Sequence, residues 1–164
     1  SNKLKVLSYG EPTAPIHVSV FSDFLCSHCN LFHQVLHDSI EKNPSLYYIE
    51  FRQFPVVNEL SKVLAKYAFC VENEDFINFA DILYKENKSI NLGNIRKIVE
   101  KTTVITDEFE SCVNSAFPTK ALSIDKQLGI SLSIQKTPTI FVNGVSTRAS
   151  DFEETVNYML SRKQ

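Results

Sequence analysis

Residues 21–29 read FSDFLCSHC and are the most informative segment of the chain, because they place two cysteines, with two residues between them, where a strand is expected to pass into a helix. Just before them, the alternation of apolar and polar residues predicts a strand over residues 16–21 with one buried face. A cysteine pair at this spacing, directly after a strand and opening a helix, is typical of a thiol–disulfide redox site. We therefore take Cys26 and Cys29 as the candidate reactive pair.

The two cysteines are not expected to be equivalent. Apolar positions repeat at helical spacing from Ser27 to Lys42, so Cys26 lies at the N-terminus of this predicted helix. Free N–H groups and the helix dipole favour a thiolate there, and His28 adds positive charge beside it. Cys29 lies one turn further along on the apolar face, so we expect a sheltered thiol with a raised pKa. A stabilised thiolate favours the reduced pair, so the oxidised protein would give its disulfide away.

The rest of the chain predicts a mixed sheet interrupted by helices. Further strands are predicted over residues 47–52, 139–142 and 145–147, and helices between residues 58 and 127. Asn143-Gly144 is a strong hairpin turn signal, and Ser150 and Glu153 are spaced as the capping box of a final helix. A strand–helix–strand unit implies a parallel pair. The helical block therefore interrupts an α/β fold with a mixed central sheet.

Composition restricts the possible functions. The chain has 164 residues, a formal net charge of −2 and a pI of about 6.1, which gives no electrostatic basis for binding nucleic acid. No apolar run approaches the roughly 20 residues of a membrane-spanning helix. A chain of this length buries a core without needing a metal ion or disulfide bonds for stability.

Structural zinc is the competing interpretation of the cysteine pair, because Cys26, Cys29, His33 and His37 have finger-like spacing. The last three would lie on successive turns of one helix, with about 12 Å of helix axis between Cys29 and His37. One tetrahedral ion does not comfortably bridge that distance. His33 and His37 also fall on the polar face, where histidines are normally solvated. We therefore assign no metal ion to the chain.

Three segments in this order resemble the DsbA-like branch of the thioredoxin superfamily. Residues 21–29 are similar to its strand-to-helix segment, with Ser27 and His28 between the cysteines. Residues 51–55, FRQFP, are similar to the exit of its second strand, and residues 137–144, TPTIFVNG, to its cis-proline loop and hairpin. The helical block falls where this family inserts a helical domain. The resemblance covers nearly the whole chain, and the ordered set of segments is far more specific than a lone cysteine pair.

The resemblance implies an α/β protein with a thioredoxin-like fold, a mixed central sheet and an inserted α-helical domain. It implies a thioredoxin-like domain formed by residues 1–56 and 129–164, and an inserted helical domain formed by residues 57–128. It also implies a catalytic motif, formed by Cys26, Ser27, His28 and Cys29.

The activity that the resemblance implies is that of a disulfide oxidase, which donates the Cys26–Cys29 disulfide to folding secreted proteins. The expected substrates are unfolded or reduced secreted proteins, and a membrane-bound partner would reoxidise the cysteine pair. No cofactor beyond that pair is implied. We expect a monomer in the periplasm or another extracytoplasmic compartment, after removal of a signal peptide.

The resemblance also implies a substrate-binding loop. Pro138 is expected to be cis and to lie beside the cysteine pair, and the backbone of Thr137 to pair with an extended substrate segment. Two residues depart from the family pattern. The well-known oxidases have proline where this chain has Ser27, and some relatives bury an acidic residue where it has Val20.

Other functions remain open at this point. An isomerase or reductase of the same fold is the nearest alternative, and Thr137 before the proline also occurs in isomerases. A non-redox module that binds peptides in the cis-proline groove is an alternative of another class. A glutathione-linked transferase is disfavoured by Cys29, because such enzymes generally lack the second cysteine.

Cys70 and Cys112 lie in the helical block and are not taken as catalytic. Some members of the resembled family carry a second disulfide there, and we favour such a bond because an oxidising compartment is already implied. The alternative is a pair of unrelated buried thiols, since free cysteines are often buried.

Overall fold

The computed structural model of the chain describes residues 6–102 and 104–162. In chain order the elements are β1 (Ser8–Tyr9), β2 (Ile16–Ser22), α1 (Ser27–Lys42), β3 (Tyr47–Gln53), α2 (Glu59–Ala68), α3 (Asn73–Lys85), α4 (Ile95–Glu100), α5 (Asp107–Val113), α6 (Phe117–Ser131), β4 (Thr139–Val142), β5 (Val145–Thr147), a 3-10 turn (Ala149–Asp151) and α7 (Phe152–Ser161). The predicted order of strand, helix, strand, helical block, hairpin and helix is confirmed. Among the described residues, no helix combines the length and the apolar character needed to cross a membrane.

Five strands form one mixed sheet in the order β1-β3-β2-β4-β5. The central strand β2 is parallel to β3, with Ile16 opposite Tyr47 and Ser22 opposite Gln53. The other neighbouring strands are antiparallel. The mixed α/β architecture expected from the sequence is confirmed. Because β2 is the central strand, the loop that follows it lies at the middle of one end of the sheet.

The core packs against the central strand. Ile16, Val18 and Val20 of β2 are 0%, 1% and 3% exposed, so the predicted inward face is buried as expected. Phe32 of α1 is also buried, and its ring lies edge-on to that of Phe152 of α7, with 5.3 Å between the ring centroids. Burying a side chain of this size stabilises the fold by roughly 1.5–3 kcal/mol. This packing fixes α1, and therefore the start of α1, relative to the sheet.

The helical block, α2 to α6, is attached to the sheet by a buried acid. Asp125 of α6 is 4% exposed and accepts hydrogen bonds from the backbone N–H of Gln53 at 2.8 Å and from Arg52 at 3.1 Å. Burial raises the pKa of Asp125, although both donors oppose the rise. Helix α6 continues to Ser131, so the predicted domain boundary after residue 128 falls inside it. The division into two domains stays a prediction.

The hairpin after the helical block has the predicted turn. Asn143 and Gly144 have φ angles of 48° and 81°, the two positive values that a type I′ turn requires. The predicted capping box of the last helix is wrong, because the 3-10 turn takes up Ser150 and the helix begins only at Phe152. No side chain makes a cap hydrogen bond there.

Candidate active site

Cys26 lies where the loop after β2 passes into α1. It is the N-cap residue of that helix, and its Sγ accepts a hydrogen bond from the backbone N–H of Cys29 at 3.3 Å. A cap side chain normally satisfies one of the unpaired N–H groups of the first turn, and here the capping atom is sulfur. The N–H groups and the helix dipole favour negative charge on this atom. Because Cys26 is only half-buried, an incoming sulfur atom can reach it.

Cys29 lies one turn into α1 and is 2% exposed. Burial raises the pKa of Cys29 well above the ordinary value for a thiol, and the neighbouring Cys26 adds to the rise. Hydrogen bonds from the backbone N–H of Asp23 and from the side chain of Thr137 act in the opposite direction. Both active-site cysteines are free thiols in this structure. The expected sheltered thiol with a raised pKa is confirmed at Cys29.

The loop before β4 meets the start of α1. The Thr137–Pro138 peptide bond is cis, and the carbonyl oxygen of Thr137 lies 3.5 Å from Sγ of Cys26, which donates to it as a thiol. The meeting follows from the sheet, because β4 pairs directly with β2, the strand that leads to Cys26. Residues 111 positions apart in the chain are thus neighbours at the site.

A groove of about 730 Å³ opens beside this loop. Its walls come from α1, through His28, Leu31 and Val35, and from the Pro138 loop with the start of β4. Leu31 is 60% exposed and presents its apolar side chain to this groove. His28 and Ser27 are both exposed. Of the predicted catalytic and substrate-binding residues, all except the buried Cys29 therefore lie together on one accessible surface.

Asp23 is a site residue that the sequence patterns did not indicate. It is 2% exposed, and its Oδ1 accepts a hydrogen bond from the N–H of Leu25 at 2.9 Å. Its Oδ2 accepts from the N–H groups of Val56 and Val57, at 2.8 and 2.9 Å, in the loop between β3 and α2. The local signal was an Asp two residues before Leu25, the spacing of an Asx turn. One carboxylate thus holds the loop before Cys26 against the entry to the helical block.

The expectation that His33 and His37 are solvated is wrong for His33, which is 7% exposed. Helix α3 packs on that side of α1, and Asp81 of α3 accepts a hydrogen bond at 2.6 Å from Nε2 of His33. The finger-like zinc set is not assembled either. Among the residues that the structure describes, the group of potential metal ligands consists of His33, His37 and Asp81, without either cysteine of the pair.

Cys70 and Cys112 are joined by a disulfide bond, with 5.6 Å between their Cα atoms. The bond connects the turn after α2 to α5 and lies within the helical block. The favoured pairing is therefore the one present in the structure.

A helix-capping thiol beside a buried one, at the exit of a strand in a mixed sheet, is the arrangement with which thioredoxin-fold enzymes exchange disulfides. A sequence model of the family described as Thioredoxin matches residues 2–160, and the chain belongs to this family. Within it, the chain is a DsbA-like thiol–disulfide oxidoreductase.

The relatives agree with this class. The chain is 26% identical over 176 residues to the thiol:disulfide interchange protein DsbA of Salmonella typhimurium, covering 94% of this chain and 83% of that one. Among solved structures, alpha-DsbA1 of Wolbachia pipientis has a TM-score of 0.81 at 24% identity, covering 96% of this chain and 92% of the other. BdbD of Bacillus subtilis, in its oxidised form, has a TM-score of 0.81 at 20% identity, covering 95% and 93%. These structural likenesses establish the shared fold.

Proposed function

We propose that the chain is a disulfide oxidase, which gives the Cys26–Cys29 disulfide to reduced secreted proteins in the periplasm or another extracytoplasmic compartment. The observation that carries this proposal is the difference between the two thiols. Cys26 is half-buried and caps a helix through its sulfur atom, whereas Cys29 is 2% exposed with a raised pKa. Features that stabilise the Cys26 thiolate favour the reduced pair, and therefore make the oxidised pair a disulfide donor.

The proposed reaction begins with the oxidised pair. A substrate thiolate attacks Sγ of Cys26, the Cys26–Cys29 bond breaks, and a mixed disulfide forms between substrate and Cys26. Cys29 leaves as a thiolate, which accepts hydrogen bonds from the N–H of Asp23 and the side chain of Thr137. Because the pKa of Cys29 is raised, this thiolate then takes up a proton. It therefore does not readily attack Cys26 again and reverse the step.

A second substrate thiolate completes the reaction. It attacks the substrate sulfur of the mixed disulfide, and the Cys26 thiolate leaves. The substrate has then lost two electrons and gained a disulfide, and the cysteine pair has gained the two electrons. The helix N-terminus that favours the Cys26 thiolate makes it a good leaving group in this step.

The groove beside Pro138 suits extended, unfolded substrates. Leu31 and Val35 supply an apolar wall, and the Thr137 backbone lies next to the reactive sulfur, where a substrate strand would pair with it. Recognition of this kind uses the backbone and general apolar contact, so it accepts many sequences. This breadth is appropriate for an enzyme that acts on proteins before they fold.

The remaining parts of the proposal concern the redox cycle. The cysteine pair itself carries both electrons, so the cycle needs no dissociable cofactor. A membrane-bound partner would reoxidise the reduced pair by accepting electrons through the same half-buried Cys26. The chain would act as a monomer, because a second copy seated on the groove would close access to that sulfur.

The reduction potential of the Cys26–Cys29 pair tests the direction of the reaction. We expect a value of about −120 to −180 mV after equilibration in glutathione buffers, the range of disulfide donors. A joint Cys70→Ser and Cys112→Ser variant is the matched control, since it lacks the second disulfide and keeps the site. A value near about −270 mV would match reductants of the thioredoxin type and would contradict the oxidase proposal.

An activity assay separates the oxidase from the non-redox alternative. The oxidised protein is mixed with a reduced, unfolded test protein, and the formation of disulfides is followed by loss of free thiols. We expect Cys26→Ser to abolish the reaction, because no other sulfur of the pair is accessible. Binding of the test protein without any dependence of turnover on Cys26 would support a peptide-binding module instead.

A further inference from the structure

His33 and His37, one turn apart on α1, both point a ring nitrogen at Asp81 of α3. Nε2 of His33 lies 2.6 Å from Oδ1 of Asp81, and Nδ1 of His37 lies 3.1 Å from Oδ2. One ligand atom from each residue can be chosen so that all three lie within 4.8 Å of one another. This cluster lies outside the reaction proposed above, which uses none of the three residues.

Two imidazoles and a carboxylate are ligands that zinc and neighbouring transition metals prefer. With metal–ligand distances of about 2.0–2.1 Å, tetrahedral geometry places ligand atoms about 3.3 Å apart. The separations of 2.6 and 3.1 Å between the histidine nitrogens and Asp81 are near this value. To admit an ion, the His33–Asp81 contact must lengthen and the three ligand atoms, which lie within 4.8 Å of one another, must adjust around a common centre.

The second nitrogen of His37 has a partner of the kind that supports metal-bound histidines. Its Nε2 lies 3.3 Å from Oε1 of Glu41, one further turn along α1, so carboxylates face both sides of this ring. With a metal ion on the Asp81 side, the N–H group on Nε2 donates to Glu41. A carboxylate on the far nitrogen of a metal-bound histidine is a common supporting feature of such sites.

Burial gives the cluster a fixed side and an open side. The side chain of His33 is 8% exposed, and its ring lies 4.9 Å, centroid to centroid, from the ring of Tyr84, so it is held in place. The side chains of His37 and Asp81 are 35% and 32% exposed. Three protein ligands with one side open to solvent leave a fourth position for water.

We propose that His33, His37 and Asp81 bind one divalent transition-metal ion, with zinc as the reference ion, and that Glu41 orients His37 for this purpose. The ion would join α1, which carries the cysteine pair, to α3 of the helical block. This proposal is independent of the direction of disulfide exchange. It replaces the sequence-based expectation that the chain binds no metal.

The test uses oxidised protein, in which the Cys26–Cys29 disulfide removes thiolates that would bind zinc themselves. Zinc is titrated in competition with a chromophoric chelator of known affinity. We expect saturation at one ion per chain. We expect the zinc affinity of Asp81→Asn to be at least about tenfold lower, because this change removes the charged ligand while it keeps the size of the side chain. Glu41→Gln is expected to weaken binding by about 10-fold or more, the usual effect of removing a supporting carboxylate.

His17→Ala is the matched control, since this histidine lies on β2 and its Nε2 contacts the carbonyl of Pro12. Its zinc affinity is expected to equal that of the unaltered chain. The visible spectrum of bound Co²⁺ is a second readout, and we expect an intense tetrahedral band without a sulfur-to-metal band. The absence of saturable binding, or equal zinc affinity in Asp81→Asn and the unaltered chain, would overturn the proposal.

Discussion

The reactivity of the two active-site thiols is the most direct consequence of their different surroundings. In the single variants Cys26→Ser and Cys29→Ser, one thiol of the pair remains and the Cys70–Cys112 disulfide is retained. Alkylation by iodoacetamide therefore reports one sulfur at a time. We expect the remaining Cys26 to react faster than a free cysteine and the remaining Cys29 to react hardly at all.

The magnitude follows from the thiolate fraction, because only the thiolate reacts. A free cysteine, with an ordinary pKa of 9.0, is about 1% thiolate at pH 7. Burial is the largest cause of the raised pKa of Cys29, so the rise persists in Cys26→Ser, where the neighbouring thiol is gone. The lower thiolate fraction, together with 2% exposure, predicts that Cys29 reacts at least about a thousandfold more slowly than free cysteine.

Rates are measured by mass spectrometry of the intact variants, sampled over time at pH 7. In concentrated urea the two variants should react at equal rates, which shows that the difference belongs to the folded state. If Cys29 in folded Cys26→Ser reacts within about tenfold of free cysteine, burial does not control its reactivity. The asymmetry that supports the oxidase proposal would then be lost.

Three further predictions concern stability, measured by denaturant unfolding. The pKa of Cys29 is raised on folding, so the unfolded chain loses this proton first, above its ordinary value of 9.0. The free energy of unfolding of the reduced protein is therefore expected to fall by about 1.4 kcal/mol by pH 10, whereas that of Cys29→Ser is expected to lack this fall. Equal pH profiles for the two proteins would contradict this prediction. Asp125→Ala leaves the buried N–H group of Gln53 without its acceptor, while Arg52 keeps Glu50, and is expected to lower the free energy of unfolding by about 1–3 kcal/mol. The control Lys62→Ala breaks an exposed ion pair and is expected to leave the midpoint unchanged. A cost below about 1 kcal/mol would show that the Asp125 contacts are not stabilising. The joint Cys70→Ser and Cys112→Ser variant opens a loop of 42 residues and is expected to lower the free energy of unfolding by about 4 kcal/mol. An unchanged unfolding midpoint would refute this loop-entropy argument.

The sequence predicted those parts of the structure that depend on local patterns. Apolar alternation in β2, helical spacing in α1 and the Asn143-Gly144 turn each act over a few residues, and each element appears where expected. The unequal environments of the cysteines also follow from their positions in the first turn of one helix. The two-residue strand β1 was missed, since so short a segment has no detectable period.

Contacts between distant segments could not be predicted in the same way. His33 lies on the polar side of α1 in the sequence pattern and is buried only because α3 packs there, with Asp81 48 residues away. The carboxylate of Asp23 accepts locally from the N–H of Leu25, but its contacts with Val56 and Val57 depend on how the loop after β3 approaches. The spacing of Cys70 and Cys112 was compatible with a disulfide or with two separate thiols. Only the packing of the helices decides between them.

The hydrogen bonds of the Asp23 carboxylate allow amide hydrogen exchange to report on the loop before Cys26. Val56 and Val57 lie outside the helices and strands, and 54% and 51% of their surface is exposed, so their amides would ordinarily exchange quickly. Instead, both N–H groups share one buried acceptor with the N–H of Leu25. We expect the three amides to be protected together and to become labile together. Their common exchange rate would report how often the loop before Cys26 separates from the helical block.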